Sequence, residues 1–142
     1  MSRLALLILF TPLVAFAQGT EKSDSEVATV WDLTDLFPSV EAWEEALDGV
    51  SQGIPKLESF QGRLGESAAT LEEALTIRSS LYRKLANVSV YASLKSDENL
   101  AKSEPRALKQ RVSSVGSTLR QNTSWMAPEI ISLGADKIEA FI

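Results

Sequence analysis

The chain has 142 residues, enough for one domain but not comfortably two, and its 44% hydrophobic and 23% charged composition is that of an ordinary globular protein. A formal charge of −5, from 14 basic and 19 acidic residues, leaves no cationic cluster to neutralise phosphates and argues against nucleic acid or anionic membrane as partners. There is no cysteine and no histidine, which removes disulfides, thiolate nucleophiles, a Ser-His-Asp triad and any histidine-based zinc site.

Residues 1–17, MSRLALLILFTPLVAFA, read as a signal peptide. Arg3 supplies the positive start, Leu4 to Phe16 form the apolar run, and Ala15-Phe16-Ala17 places small residues at the cleavage positions, with Gln18 the new first residue. A membrane anchor needs roughly 20 apolar residues. This run is shorter and contains Pro12. The mature protein is therefore expected to be exported, periplasmic or secreted, and free of the membrane after cleavage. Residues 18–30 are small, polar and charged and read as a flexible lead-in, with order expected from Val30-Trp31 onward.

The first helix is expected after Phe37-Pro38, with Ser39 as N-cap and Glu41, Glu44 and Glu45 near the positive end of its dipole. Val40, Trp43, Leu47, Val50, Ile54 and Leu57 follow at helical spacing and define one apolar stripe. Gly49, Gly53 and Pro55 predict a kink or break around 53–55, and Gln61 to Gly65 reads as a turn. The second helix is expected to start at a Thr70/Glu73 capping box and to run to about Leu94, with Ser96-Asp97 beginning the connection. Its buried face is assigned to Leu71, Ala74, Leu75, Leu81, Leu85, Val88 and Ala92, with Arg78 the one charged interruption.

A third helix is placed from Ser103-Glu104-Pro105, with Leu108, Val112, Val115 and Leu119 as its stripe. Ala127-Pro128 closes or kinks it, and short helical pieces at 128–133 and from 135 follow, separated by Gly134. No alternating pattern reaches the length of a convincing strand. The fold class is thus all-α: an antiparallel bundle of three main helices with short terminal helical pieces. The segment Asp136 to Ile142 begins an amphipathic helix and stops without a cap or polar tail, which reads as a cut in a longer chain.

Three segments resemble the amino-terminal region of oligoendopeptidase F. They are Trp31-Asp32-Leu33-Thr34-Asp35-Leu36-Phe37-Pro38-Ser39, Phe60-Gln61-Gly62-Arg63-Leu64-Gly65 with its F-x-G-x-L spacing, and Tyr91-Ala92-Ser93-Leu94-Lys95-Ser96-Asp97. The resemblance covers 31–142 and makes that stretch the amino-terminal helical domain, an incomplete part of a larger helical peptidase. It implies a thimet oligopeptidase-like enzyme with a deep cleft that admits short peptides. In such enzymes zinc is bound by H-E-x-x-H and a further Glu, and the helix Glu activates water. No catalytic, cofactor-binding or metal-ligating residue carries over to this chain, because the zinc motif lies downstream in the family. Zinc, short peptides and the missing carboxy-terminal catalytic region are cofactor and partners of the full-length parent. The role left for 31–142 is that of a wall limiting access to the cleft.

Structural roles explain the remaining motifs. Trp31, Leu36 and Phe37 are expected to clamp the first segment onto the bundle, and Asp32 and Asp35 to serve turns and caps. The adjacent carboxylates Glu44/Glu45 and Glu72/Glu73 do not face one another, so they form no acid/base pair. Tyr82 and Tyr91, nine positions apart, are placed on one side of their helix, either lining a peptide channel or in the core. The sequons at Asn87 and Asn122 fall inside helices, and the scattered Arg and Lys residues read as solvated faces. Two functions follow: a non-catalytic domain of an exported zinc oligoendopeptidase, or a stand-alone exported helical binding module derived from one.

Overall fold

The computed structural model describes residues 32–98 and 103–141; the expected leader, the lead-in and Trp31 lie outside them. Five helices follow in order: α1 (Val40–Glu58), α2 (Ala68–Glu98), α3 (Ser103–Thr123), α4 (Met126–Leu133) and α5 (Ala135–Glu139). Among the described residues there is no strand, and no helix is long and apolar enough to cross a membrane.

Helix α1 starts where the sequence places it. Ser39 is extended and its Oγ accepts from the Ala42 amide at 3.2 Å, which satisfies one of the four free donors of the first turn. Trp43, Leu47, Val50, Ile54 and Leu57 are all buried along the expected stripe. The break anticipated at 53–55 does not occur. Pro55 removes an amide that would have bonded the Ser51 carbonyl, but Ser51 and Pro55 both lie on the exposed side, so the loss falls where solvent has access. Gly53 is buried because it has no side chain: an added Cβ would lie 2.4 Å from Leu81 Cδ2. That glycine sets the close approach of α1 and α2.

Helix α2 differs from expectation at both ends. Its cap is Ser67, whose Oγ accepts from the Thr70 amide at 3.1 Å and meets the Thr70 hydroxyl at 2.8 Å, so Thr70 is already inside the first turn. At the other end the helix continues past Leu94 to Glu98, because Ser96 is buried within the bundle and Lys95 pairs with Glu98 across one turn at 3.2 Å. Helix α3 follows its predicted stripe, with Leu108, Val112 and Leu119 buried and Val115 half-buried. Pro105 lies in its first turn, where a missing amide breaks no helical bond. Pro128 likewise lies in the first turn of α4, so it opens that helix rather than closing α3.

Side-chain pairings fix the helix directions. Trp43 at the start of α1 meets Val88 and Tyr91 late in α2, whereas Gly53 meets Leu81 earlier in α2. Tyr82 meets Thr123, and Asp97 meets Lys109, so α2 also runs antiparallel to α3. Glu44 pairs with Arg111, which lays α1 and α3 side by side. The main core is built from Trp43, Leu47, Val50, Ile54, Leu57, Leu81, Leu85, Val88, Tyr91, Leu108, Val112 and Leu119, closed at one end by Leu33. A smaller cluster of Phe60, Leu64, Ala74 and Met126 sits where the α1–α2 connection meets α4.

The two tyrosines do not share a face. Nine residues are two and a half helical turns. Tyr91 accordingly turns toward α1, edge-on to Phe37 at 5.5 Å, while Tyr82 turns toward α3 and meets the Thr123 hydroxyl at 3.1 Å. The clamp at the first segment is also differently composed, with Leu33 and Phe37 packing inward and Leu36 exposed.

Two glycines of α1 give opposite expectations. At Gly49 nothing lies within 4 Å of an added Cβ, so Gly49→Ala is expected to gain about 0.5–1 kcal/mol from helix propensity. At Gly53 the added methyl forces buried Leu81 aside, and Gly53→Ala is expected to cost about 1–2 kcal/mol net. Urea denaturation midpoints of the two variants should therefore move in opposite directions.

Candidate functional site

The first half of α2 leaves an apolar ridge outside the main core, with Leu71 half-buried against the smaller cluster. Leu71 and Leu75 are one helical turn apart, and Leu75 remains 37% exposed although it was expected in the buried stripe. Ile138 of α5 and Phe141 just beyond it, both half-buried, line the same concavity. Between these elements lies a groove of about 710 Å³, with Glu72 and Arg83 among its lining residues. Sequence reading gave Leu75 to the buried stripe and placed Ile138 and Phe141 in a short amphipathic helical piece with no surface to face. The available signal was the paired spacing, i to i+4 in α2 and i to i+3 from Ile138 of α5 to Phe141 beyond it.

The chemistry available in the groove is recognition. Serine hydroxyls of α2 line it, but the sequence holds no histidine to activate one. Among the described residues no three acidic groups come together in a geometry that could hold a metal ion. Apolar walls with one carboxylate and one guanidinium suit a helix or an extended peptide segment better than a small polar substrate.

Glu44 crosses to Arg111, whose guanidinium also lies over the Trp43 ring, 5.3 Å from its centroid. Arg78, the charged interruption of α2, lies 4.9 Å from the centre of the Tyr82 ring. Asn87 and Asn122 are both within helices, and the Asn122 amide donates to the Thr118 carbonyl at 2.9 Å. The scattered cations thus include cross-helix and ring contacts as well as solvated ends.

The three segments that carried the family resemblance occupy opposite ends of the bundle. Phe37 of the first packs on Tyr91 of the third, and Asp32 turns the chain there by accepting from the Thr34 amide and hydroxyl at 3.1 and 2.6 Å. The second forms the connection between α1 and α2, with Phe60 and Leu64 buried and Gly62 at φ +80°. These motifs specify how the bundle is assembled.

Comparison with known proteins gives the same assignment. Oligopeptidase PepF of Bacillus subtilis (strain 168) is 32% identical over 125 residues, which is 88% of this chain and 19% of that protein. Group B oligopeptidase PepB of Streptococcus agalactiae serotype III (strain NEM316) is 27% identical over 121 residues, 85% of this chain and 20% of the relative. Oligoendopeptidase F, chromosomal, of Lactococcus lactis subsp. cremoris is 26% identical over 105 residues, 73% of this chain and 17% of the relative. No protein-family model matches, and no solved structure matches. The chain is an oligoendopeptidase F-like region. It spans about a fifth of the length of the curated relatives it matches.

Three exposed carboxylates define the acid response. The Thr34 hydroxyl and amide hold Asp32 below the usual carboxylate range, and Arg63 does the same for Glu66 through a hydrogen-bonded pair at 2.9 Å. Glu41 is lowered by its own amide and by the Ser39 hydroxyl at the start of α1. A carboxyl group lowered on folding stabilises the fold above its unfolded value, and that contribution is lost as pH falls through the folded value. The contribution of these three groups is therefore expected to be complete from neutral pH to about pH 5 and to be lost below it. Carboxyl NMR titration should place the midpoints of these three groups below those of the unfolded chain.

Proposed function

We propose that this region is the amino-terminal, non-catalytic helical domain of an exported zinc-dependent oligoendopeptidase that hydrolyses short peptides. Its part in that enzyme is to form cleft wall and to restrict the size of peptide admitted. The observation that carries this reading is similarity over 88% of this chain to a relative of which it spans 19%. Export rests on Arg3, the apolar run Leu4 to Phe16 and the small residues Ala15 and Ala17.

Zinc belongs to this reading through the family resemblance, and the residues of this chain do not fit it. The sequence has neither histidine nor cysteine, so the ion and the water it activates are assigned to another region of the longer enzyme. The contribution here is mechanical. A rigid three-helix wall beside a cleft excludes folded substrates by shape, and short peptides reach the metal because they cost little to extend and thread.

A second reading is favoured by the self-contained core. Thirteen buried residues of α1, α2 and α3 close on one another together with Leu33, and among the described residues no buried side-chain polar atom lacks a partner. Such a bundle could stand alone as an exported binding module, with the α2–α5 groove as its recognition surface.

Sequencing the transcript past the codon for Ile142 separates the two. The first reading expects the frame to continue to H-E-x-x-H. It also expects the whole product to cleave short peptides in the presence of zinc, while the 142-residue chain does not. A stop directly after Ile142, with abundant mature protein, would overturn it in favour of the binding module.

A further inference from the structure

We propose that α4 and α5 form a latched strap. The carboxylate of Glu129 fastens it to the Phe60–Gly65 turn, and its release opens the groove between α2 and α5. This inference stands apart from the peptidase reading. It begins with two amides. The Gly62 amide donates to Glu129 Oε2 and the Leu64 amide to Glu129 Oε1, each at 2.8 Å. Both oxygens of one carboxylate are thus taken by a turn more than 60 residues away in sequence. Hydrogen bonds to a charged acceptor are the stronger kind, and this pair fixes orientation as well as distance.

The turn is shaped to receive the strap. Gly62 adopts φ +80°, a backbone conformation that residues with a Cβ rarely take, and this lets alternate amides face the same carboxylate. Gly65 supplies the clearance. A Cβ placed there would lie 2.6 Å from Leu133 Cδ2 at the end of α4 and 3.2 Å from Lys137 Nζ on α5. The side chains of Phe60 and Leu64 form the apolar seat for Met126. The F-x-G-x-L-G spacing therefore encodes a socket: two apolar walls, two donors and one gap.

Beyond this latch, the strap is held by Met126 in the small apolar cluster, with Trp125 and Ile130 half-buried against it. Helix α1 buries six residues, whereas α4 buries Met126 and α5 buries none. Ile131 on the outer side of α4 is 78% exposed. The strap joins α3 through Ser124-Trp125 and bends again at Gly134, whose φ is +79°. An element with so little buried area opens at lower free energy than the core it leans on. The Glu129 carboxylate is then a large part of what keeps Ile138 and Phe141 opposite Leu71 and Leu75.

Hydrogen exchange on the full chain tests the latch. In Glu129→Ala, the amides of 126–139 together with those of Gly62 and Leu64 are expected to exchange about tenfold faster or more. The amides of 43–57 and 81–92 should keep their protection. Gly65→Ala, which blocks the gap and leaves the carboxylate in place, should give the same regional pattern. Unchanged protection of 126–139 in Glu129→Ala would overturn the proposal. So would acceleration spread equally over α1, α2 and α3.

Discussion

The bundle depends on the hydrogen bond from the Trp43 indole nitrogen to the Val88 carbonyl, 2.8 Å long and buried between α1 and α2. A helical carbonyl has a second lone pair free after its ladder bond, and this one is satisfied by the largest side chain of α1. The indole must be inserted fully to reach it. Once inserted, the ring is inclined 28° to Tyr91, 6.4 Å away, and lies beneath the Arg111 guanidinium of α3. One side chain therefore touches all three long helices, and an unbonded indole N–H at that depth would cost about 1–3 kcal/mol. The Glu44–Arg111 pair holds the guanidinium over the ring from the solvent side. Shape, hydrogen bonding and charge all select the same register of α1 against α2 and α3.

Most of that arrangement is legible in the sequence because helical burial is periodic. Trp43, Leu47, Val50, Ile54 and Leu57 recur at the spacing of one helix face, and so do Leu108, Val112 and Leu119. Where the reading failed, a local rule met a tertiary contact. Ser67 and Thr70 are both good caps three residues apart, and only the chain path after the Gly65 turn decides between them. Ser96-Asp97 looks like a connection by composition, yet Ser96 is buried and Asp97 reaches Lys109 on α3. Pro55 looks like a breaker, but it sits where its lost bond faces water. The misplaced tyrosines were an error of helical phase, visible in the sequence itself.

The candidate site was less legible than the fold. Absence of histidine and cysteine excluded whole classes of chemistry, but exclusion does not locate a surface. The groove joins residues about 65 positions apart in sequence, and no periodicity within α2 or α5 alone announces that they face each other. The F-x-G-x-L-G turn was recognised as a family mark without its reason. The reason is physical: Gly62, Gly65 and two amides receive Glu129 and the end of α4. A region that spans about a fifth of its oligopeptidase relatives thus has a firm three-helix core and a lightly held edge. Under the proposed function, the core serves as wall and the edge lies beside the groove.

The most direct test of the Trp43 anchor is the exchange rate of its indole proton, followed by NMR across a series of urea concentrations below the unfolding transition. The Trp125 indole, bonded to the Asn122 carbonyl at 2.7 Å on the half-buried edge, serves as the internal comparison. If Trp43 anchors the bundle, its proton exchanges only through global unfolding and its rate rises with urea along the full unfolding slope. The Trp125 proton should exchange faster and with a shallower slope. A Trp43 rate that is independent of urea would mean that the indole escapes by local opening, and the three helices would then hold together without it.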